Sequence, residues 1–278
     1  MKTLTDKVVV ITGAGSGIGR ALALQGAEVS AKLALSDVNE AGLQETLGKL
    51  PKGTRTMVRR LDVAEREAVF AFAREVRSEY GQVDVVINNA GVSLSDKIGH
   101  MKLEDFQWLF NINFWGVVHG VDAFLPELGS RPDAHIVNIS SVFGLVSIPS
   151  QSAYNASKFA VRGYTEALRQ ELVGTPIHVT CVHPGGIKTN IVRSGRHFQG
   201  PSGHAVDTDS FARKFELGAL TTADEAARAI IKGILHNKPR VLIGSDARLL
   251  DLCARLAPGH YEKLSGVVMR MVAKIMGI

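Results

Sequence analysis

Tyr154 and Lys158 stand four residues apart, a spacing that puts a phenol and an ammonium on one face of a helix. A tyrosine can take the proton of an alcohol only if its pKa falls well below the ordinary ~10. A positive charge nearby favours the ionised phenol. Tyr154 is therefore a candidate general acid/base and Lys158 its tuner. Ser141, 13 residues before the tyrosine, can orient and polarise an oxygen, or merely shape a turn. Asn113 can satisfy a helix backbone. Each of these residues alone has a bland reading, a half-buried surface pair or a cap, so the case rests on what accompanies them.

What accompanies them is a glycine loop. Thr12-Gly13-Ala14-Gly15-Ser16-Gly17-Ile18-Gly19 follows a short β-branched run and opens a helix near Arg20. Glycines permit a tight turn and close approach of backbone to a pyrophosphate, and a helix N-terminus offers unpaired N–H groups. Gly13, Ser16, Gly17, Ile18 and Gly19 are the expected phosphate contacts. No Gly-Lys-Ser/Thr closes the loop, so it is not a P-loop. Asp37 lies 18 residues beyond Gly19, where the second apolar run ends. A carboxylate there accepts hydrogen bonds from adenosine ribose hydroxyls and repels a 2′-phosphate. Ser16 and Val38 are not basic. Lys32, Arg59 and Arg60 are the cations that could approach the ribose, so NAD is expected ahead of NADP.

The elements that must position these residues alternate. Apolar runs at Val8–Ile11, Leu33–Leu35, Met57–Leu61, Val83–Ile87, His135–Ile139, Ile177–Val182 and Arg240–Ile243 are separated by helical patterns such as Glu65–Tyr80 and Leu103–Leu125. Continuous rather than alternating apolar strands imply burial on both faces. The predicted fold is α/β, a doubly wound, mostly parallel sheet of Rossmann type in a single domain. Each of these runs stops at Gly, Asp, Asn, Ser or Pro-Gly, and ligands of open α/β sheets bind beyond the carboxyl ends of the strands.

These residues resemble the short-chain dehydrogenase/reductase family. The loop has its Thr-Gly-x-x-x-Gly-x-Gly form, Asn88-Asn89-Ala90-Gly91 its strand end, and Tyr154-Asn155-Ala156-Ser157-Lys158 its Tyr-x-x-x-Lys. Ser141, Asn113 and Pro184-Gly185-Gly186-Ile187-Lys188-Thr189 fall at family spacing. The likeness runs from about Lys7 to about Ile243. It departs near Ser30, where family members often carry glycine. The resemblance implies a catalytic set of Asn113, Ser141, Tyr154 and Lys158. Lys158 would also hold the nicotinamide ribose, and Asn113 a water linking Lys158 to solvent. Position suggests further cofactor contacts: Asp62 and Val63 at the adenine, Asn89, Ala90 and Gly91 near the ribose, and Pro184, Gly185, Ile187 and Thr189 at the nicotinamide end. The expected reaction is hydride transfer between a nicotinamide cofactor and a secondary alcohol or ketone. An NADP-linked carbonyl or 3-oxoacyl reductase is the nearest alternative, and a non-catalytic dinucleotide-binding regulator a further one. The family implies a homodimer or homotetramer.

Composition sets the outer limits. The 278 residues are 45% hydrophobic and 21% charged, which excludes disorder, fibrous repeats and a disulfide scaffold. Cys181 and Cys253 form no metal-type pair, and with no signal-peptide pattern a cytoplasmic setting is expected. The net charge of +5 is spread along the chain, which does not suggest nucleic acid. The nine histidines form no ligand cluster, so no metal is expected; His183, beside Pro184, reads as structural or substrate-facing. Residues 190–220 are loop-like and are expected to act as a substrate lid. Val142, Phe143, Leu145 and Val146 are expected to line the substrate pocket, with Ser141 and Tyr154, and to favour an apolar substrate. Thr222-Ala223-Asp224-Glu225 is a capping box. In the tail, 259–278, Leu264, Val267, Val268, Met271, Val272, Ile275 and Met276 make a helical stripe. That stripe suits packing on protein or, with Lys263, Arg270 and Lys274, contact with a membrane surface.

Overall fold

The computed structural model describes residues 1–261. Seven strands form one sheet: β1 (Val8–Thr12), β2 (Lys32–Asp37), β3 (Thr56–Arg60), β4 (Val85–Asn88), β5 (Ala134–Ile139), β6 (Ile177–Pro184) and β7 (Arg240–Ile243). Their order is β3-β2-β1-β4-β5-β6-β7, and every pairing is parallel. The order reverses between β1 and β4, which opens the crevice where such sheets bind ligands. Strand ends lie within two residues of the predicted apolar runs.

The two-residue period of a strand divides β1 between two cores. Val9 and Ile11 pack with α1 (Gly17–Glu28), α2 (Glu40–Lys49) and α8 (Ala223–Leu235). Val8 and Val10 pack with α3 (Arg66–Tyr80), α5 (Gly116–Gly129) and α6 (Ser152–Glu171). Burial of both faces explains the continuous apolar strands. The turn between α1 and β2 places Ser30 at φ 60°, a left-handed conformation that glycine adopts without strain. The departure noted at Ser30 therefore leaves the turn intact and changes only its cost.

Two expectations are corrected. The predicted helix Leu103–Leu125 is interrupted: α4 (Leu103–Phe110) runs into a π-helical turn, Asn111–Trp115, before α5. The wide turn brings the Asn113 side chain to the end of the β4 strand, a contact that no local periodicity encodes. Segment 190–220 is not only loop. It contains α7 (Thr208–Gly218), capped by Asp207, whose side chain accepts from Ser210 N, and the pair Arg196–His197, which adds in parallel to Leu94–Ser95. The capping box at Thr222 and Glu225 is formed as predicted. A further helix, α9 (Ser245–Leu256), follows β7. The predicted stripe from Leu264 to Met276 lies outside the described residues. Among the described residues no helix is long and apolar enough to cross a membrane.

Candidate active site

The loop between β1 and α1 is tied to β4 across the crevice. Thr12 Oγ1 accepts from the backbone N–H of Asn89 and of Ala90, at 3.0 and 3.1 Å. The Asn89 amide donates to Thr12 O and Gly13 O. Asn89 thus shapes the loop with its side chain. Gly13 and Gly17 have φ of 68° and 51°. A Cβ at Gly19 would stand 2.1 Å from Gly13 O. The Gly19→Ala variant should therefore lose dinucleotide binding, measurable by NADH fluorescence titration. The α1 N-cap, Ser16, makes no side-chain cap, so it leaves the first N–H groups of α1 without a side-chain acceptor of its own. Thr189 approaches from the far side, its Cγ2 3.0 Å from where a Gly17 Cβ would be. This cradle of bare backbone and helix N-terminus fits a pyrophosphate.

Asp37 ends β2 beside the loop. Its Oδ2 accepts from Gly15 N at 2.8 Å and its Oδ1 from Asn39 N at 2.9 Å. Asp62 is exposed and Val63 buried at the end of β3, where Val63 also supports Gly116 of α5. Ile187 is 4% exposed, and Lys188, next to it, joins Thr189 in lining a groove with Gly17 and Arg20. Behind Pro184 and Gly185, the Asp246 carboxylate accepts from Gly186 N at 2.6 Å and fills the space that a Gly185 Cβ would need.

Tyr154 and Lys158 lie on the buried face of α6. Lys158 Nζ donates to Ile139 O at 3.0 Å and sits 5.7 Å from the centre of the Tyr154 ring. Burial pushes the ammonium down from 10.5 to about 8, with Cys181 acting weakly in the other direction. Burial raises the Tyr154 phenol, and a hydrogen bond with the Ser141 side chain opposes it. The direction differs from the expected depressed phenol: in the protein alone, desolvation outweighs the Ser141 hydrogen bond. Ser141 caps a 3-10 turn, Val142–Gly144, its Oγ accepting from Phe143 N. Asn113 is fully buried; its Oδ1 accepts from Val92 N and its Nδ2 donates to Val92 O and Ser157 Oγ. Gly91 lies between the two: a Cβ there would be 3.2 Å from Asn113 Oδ1 and 3.4 Å from Lys158 Nζ. All four members of the set thus converge at the carboxyl ends of β4 and β5.

The predicted apolar lining is corrected. Val142 and Val146 pack with Ala247 and Leu250 of α9. The close seating of Gly144 against α6, where a Cβ would be 2.6 Å from Lys158 O, fixes the turn that sends them there. Phe143 reaches Tyr154, edge to face at 6.3 Å, and Leu145 is buried. The other apolar neighbours of Tyr154 are Leu94, Leu109, Ala153 and, partly buried, Val92, Phe106, Trp108 and Ile191. Apart from Ala153 on α6 itself, these come from the segment after β4, from α4 and from the 190–220 segment, too far along the chain for local patterning to connect. His183 is structural: buried, its Nδ1 bonds Ser141 O at 3.1 Å, and burial lowers its pKa to about 4. Sequence reasoning also missed Arg20, whose guanidinium joins Gly15 O to Glu45 and Thr46 of α2. Its side-chain partners lie 25 and 26 residues on, beyond any local signal.

Comparison with known proteins agrees with this geometry. The short chain dehydrogenase family profile matches residues 7–200. The chain is 47% identical over 269 residues to the putative oxidoreductase SadH of Mycobacterium tuberculosis, covering 95% of both. It is 31% identical to human estradiol 17-beta-dehydrogenase 11, covering 98% of this chain and 85% of that protein. A short-chain dehydrogenase/reductase from Burkholderia phymatum, solved in complex with NAD, superposes with a TM-score of 0.85 at 31% identity, over 92% of this chain and 95% of that one. The glycine cradle, the reversed strand order and these likenesses converge: the chain is an oxidoreductase of the short-chain dehydrogenase/reductase family, built to use a nicotinamide dinucleotide.

Proposed function

We propose that this chain transfers hydride between NAD(H) and a secondary alcohol or ketone carried on an apolar, lipid-, steroid- or terpenoid-like molecule. The observation that carries the reading is the setting of Tyr154: beside Ser141 and Lys158, within an apolar cluster. The nicotinamide supplies the hydride acceptor. Tyr154 Oη takes the alcohol proton in oxidation and returns it in reduction. The Ser141 hydroxyl orients the same oxygen. The Lys158 ammonium favours the phenolate and holds the nicotinamide ribose. Asn113, next to Lys158 across Gly91, supports a water that connects the lysine to solvent. The likeness to a protein named as an estradiol dehydrogenase supports an apolar substrate class.

NAD preference rests on Asp37. Replacing Asp37 with Ala should weaken NADH binding roughly 10- to 100-fold, the cost of losing hydrogen bonds from ribose hydroxyls to a charged group. Titration of NADH and NADPH side by side checks this; unchanged NADH affinity would exclude the role.

Segment 190–220 serves as the substrate lid. Arg196 donates to the buried Asp105 at 2.7 Å and lies 3.9 Å over the Trp108 ring. The Ser93 hydroxyl donates to Ile191 O. Arg196→Ala should raise KM for the alcohol roughly tenfold, the worth of a charge-assisted contact, with little change in kcat. Initial-rate kinetics read the split. Trp115 and Phe159 are exposed aromatics beside and on α6, a surface suited to a homo-oligomer. Sedimentation of the purified chain tests that assembly.

A further inference from the structure

We propose that His197 is a positioning residue for the reaction, the latch that fastens the 190–220 lid to the helix carrying Tyr154 through the Ser95 hydroxyl and the Gln151 amide. This rests on reading that segment as the substrate lid. The Arg196–His197 strand lies in parallel beside Leu94–Ser95, with Arg196 N donating to Ser93 O at 3.0 Å and Phe198 N to Ser95 O at 2.8 Å. The next residue, Asp96, bridges in parallel to Gln151, the N-cap of α6, and Asp96 N donates to Ser150 O at 2.9 Å. The lid, the segment after β4 and the start of the catalytic helix therefore run side by side.

One side chain ties the three together. His197 Nε2 stands 2.8 Å from Val192 O. A carbonyl only accepts, so that nitrogen carries the proton. Burial lowers the pKa of the ring, which is therefore neutral near pH 7, and Nδ1 accepts. Its partner at 3.0 Å is the Ser95 hydroxyl, which must donate. Ser95 Oγ in turn accepts from Gln151 Nε2 at 3.0 Å. The donors form a single file, from Gln151 to Ser95 to His197 to Val192. Ser93 Oγ, 3.4 Å from Nε2, gives its own proton to Ile191 O.

Ser95 is 2% exposed, so the file crosses a dry setting, where an unpaired group is costly. Gly195 permits the close seat: a Cβ there would stand 2.3 Å from Ser93 Oγ and 2.7 Å from His197 Nε2. The imidazole also meets Phe211 of α7 edge to face, with centroids 5.1 Å apart, and so gathers the helix of the lid. Arg196, beside it, holds the lid to α4 instead, through Asp105 and Trp108. With both nitrogens engaged by the protein, His197 has no group left for a substrate and acts on one only through the lid.

The test combines hydrogen exchange and kinetics on the full chain, for the unaltered protein, His197→Phe, His197→Asn and Ser95→Ala. His197→Phe should speed amide exchange across 190–200 roughly tenfold or more and leave the loop between β1 and α1 unchanged. It should raise KM for menthol, the apolar secondary alcohol used as probe, roughly tenfold, with kcat and NADH affinity within about twofold. Ser95→Ala cuts the same file and should do the same, and the double variant with His197→Phe should be no worse than either alone. His197→Asn keeps an acceptor for Ser95 and should recover most of the protection. Unchanged exchange in His197→Phe, additive losses in the double variant, or His197→Asn no better than His197→Phe would overturn the latch. So would faster exchange throughout the chain with weaker NADH binding, the mark of an ordinary folding residue. Faster exchange confined to the lid with an unchanged KM would sink the lid reading instead. Absence of menthol turnover by the unaltered protein would count against the substrate class, and the exchange arms would still decide the latch.

Discussion

Tyr154→Phe should lower turnover by roughly 10²- to 10⁴-fold, the usual contribution of a positioned acid/base, while NADH binds as before. The substitution removes one oxygen. That oxygen's assigned partner within the protein is the Ser141 hydroxyl, and the ring remains in its cluster with Leu94, Leu109 and Ala153. The fold and the cofactor cradle, which is built from the loop between β1 and α1, have no reason to change. Because burial raises the phenol, oxidation should need the bound state to offset that penalty, and the oxidative rate should climb with pH. The reductive direction starts from the neutral phenol and should hold up at lower pH. A regulator without turnover would show neither the rate loss nor this asymmetry. Rate–pH profiles in both directions, with Tyr154→Phe as control, decide between the two.

Lys158→Met should abolish turnover yet leave the protein as stable as before, or more so, near pH 7. An ammonium that is 3% exposed and pushed from 10.5 to about 8 carries a burial cost of roughly 3 kcal/mol, at 1.36 kcal/mol for each pKa unit. Loss of its bond to Ile139 O offsets part of the gain. The sign follows from linkage. Between about pH 8 and 10.5 the unfolded chain holds a proton on this lysine that the folded chain has released, so this group makes the folded state more stable as pH rises through that window. Below about pH 8 both states are charged and the cost is present in full. Chemical denaturation of the two proteins at pH 7 and pH 9.5 reads the effect: the advantage of Lys158→Met should shrink at the higher pH. A variant much less stable at pH 7 would mean that the lysine is mainly a structural donor.

The parts legible in the sequence were those that local chemistry dictates. Seven apolar runs ended in turn formers, and these became the carboxyl ends of seven strands. The loop from Thr12 to Gly19 and the four-residue spacing of Tyr154 and Lys158 need only strand and helix geometry to be understood. What escaped depends on partners distant in the chain. The π turn around Asn113 exists in company with Val92, 21 residues earlier. Val142 and Val146 face α9, about a hundred residues later, and so leave the pocket to Phe106, Trp108 and Ile191. The direction of the Tyr154 shift is set by burial against a hydrogen bond, and burial is a property of the folded whole. Helix α7 was missed because the glycines and proline around residue 200 mask the short amphipathic stretch after Asp207. His183 could be read two ways until the structure placed its Nδ1 on Ser141 O.

The central claim is hydride transfer to and from an apolar secondary alcohol with Tyr154 as proton carrier. The most direct measurement incubates the purified chain with NAD and a panel of long-chain, steroid and terpenoid secondary alcohols, and follows NADH absorbance beside Tyr154→Phe. NADH and ketone should form in equal amounts with at least one apolar member, and none above background with the variant. Tight NADH binding without turnover of any member, or equal rates from the two proteins, would contradict it.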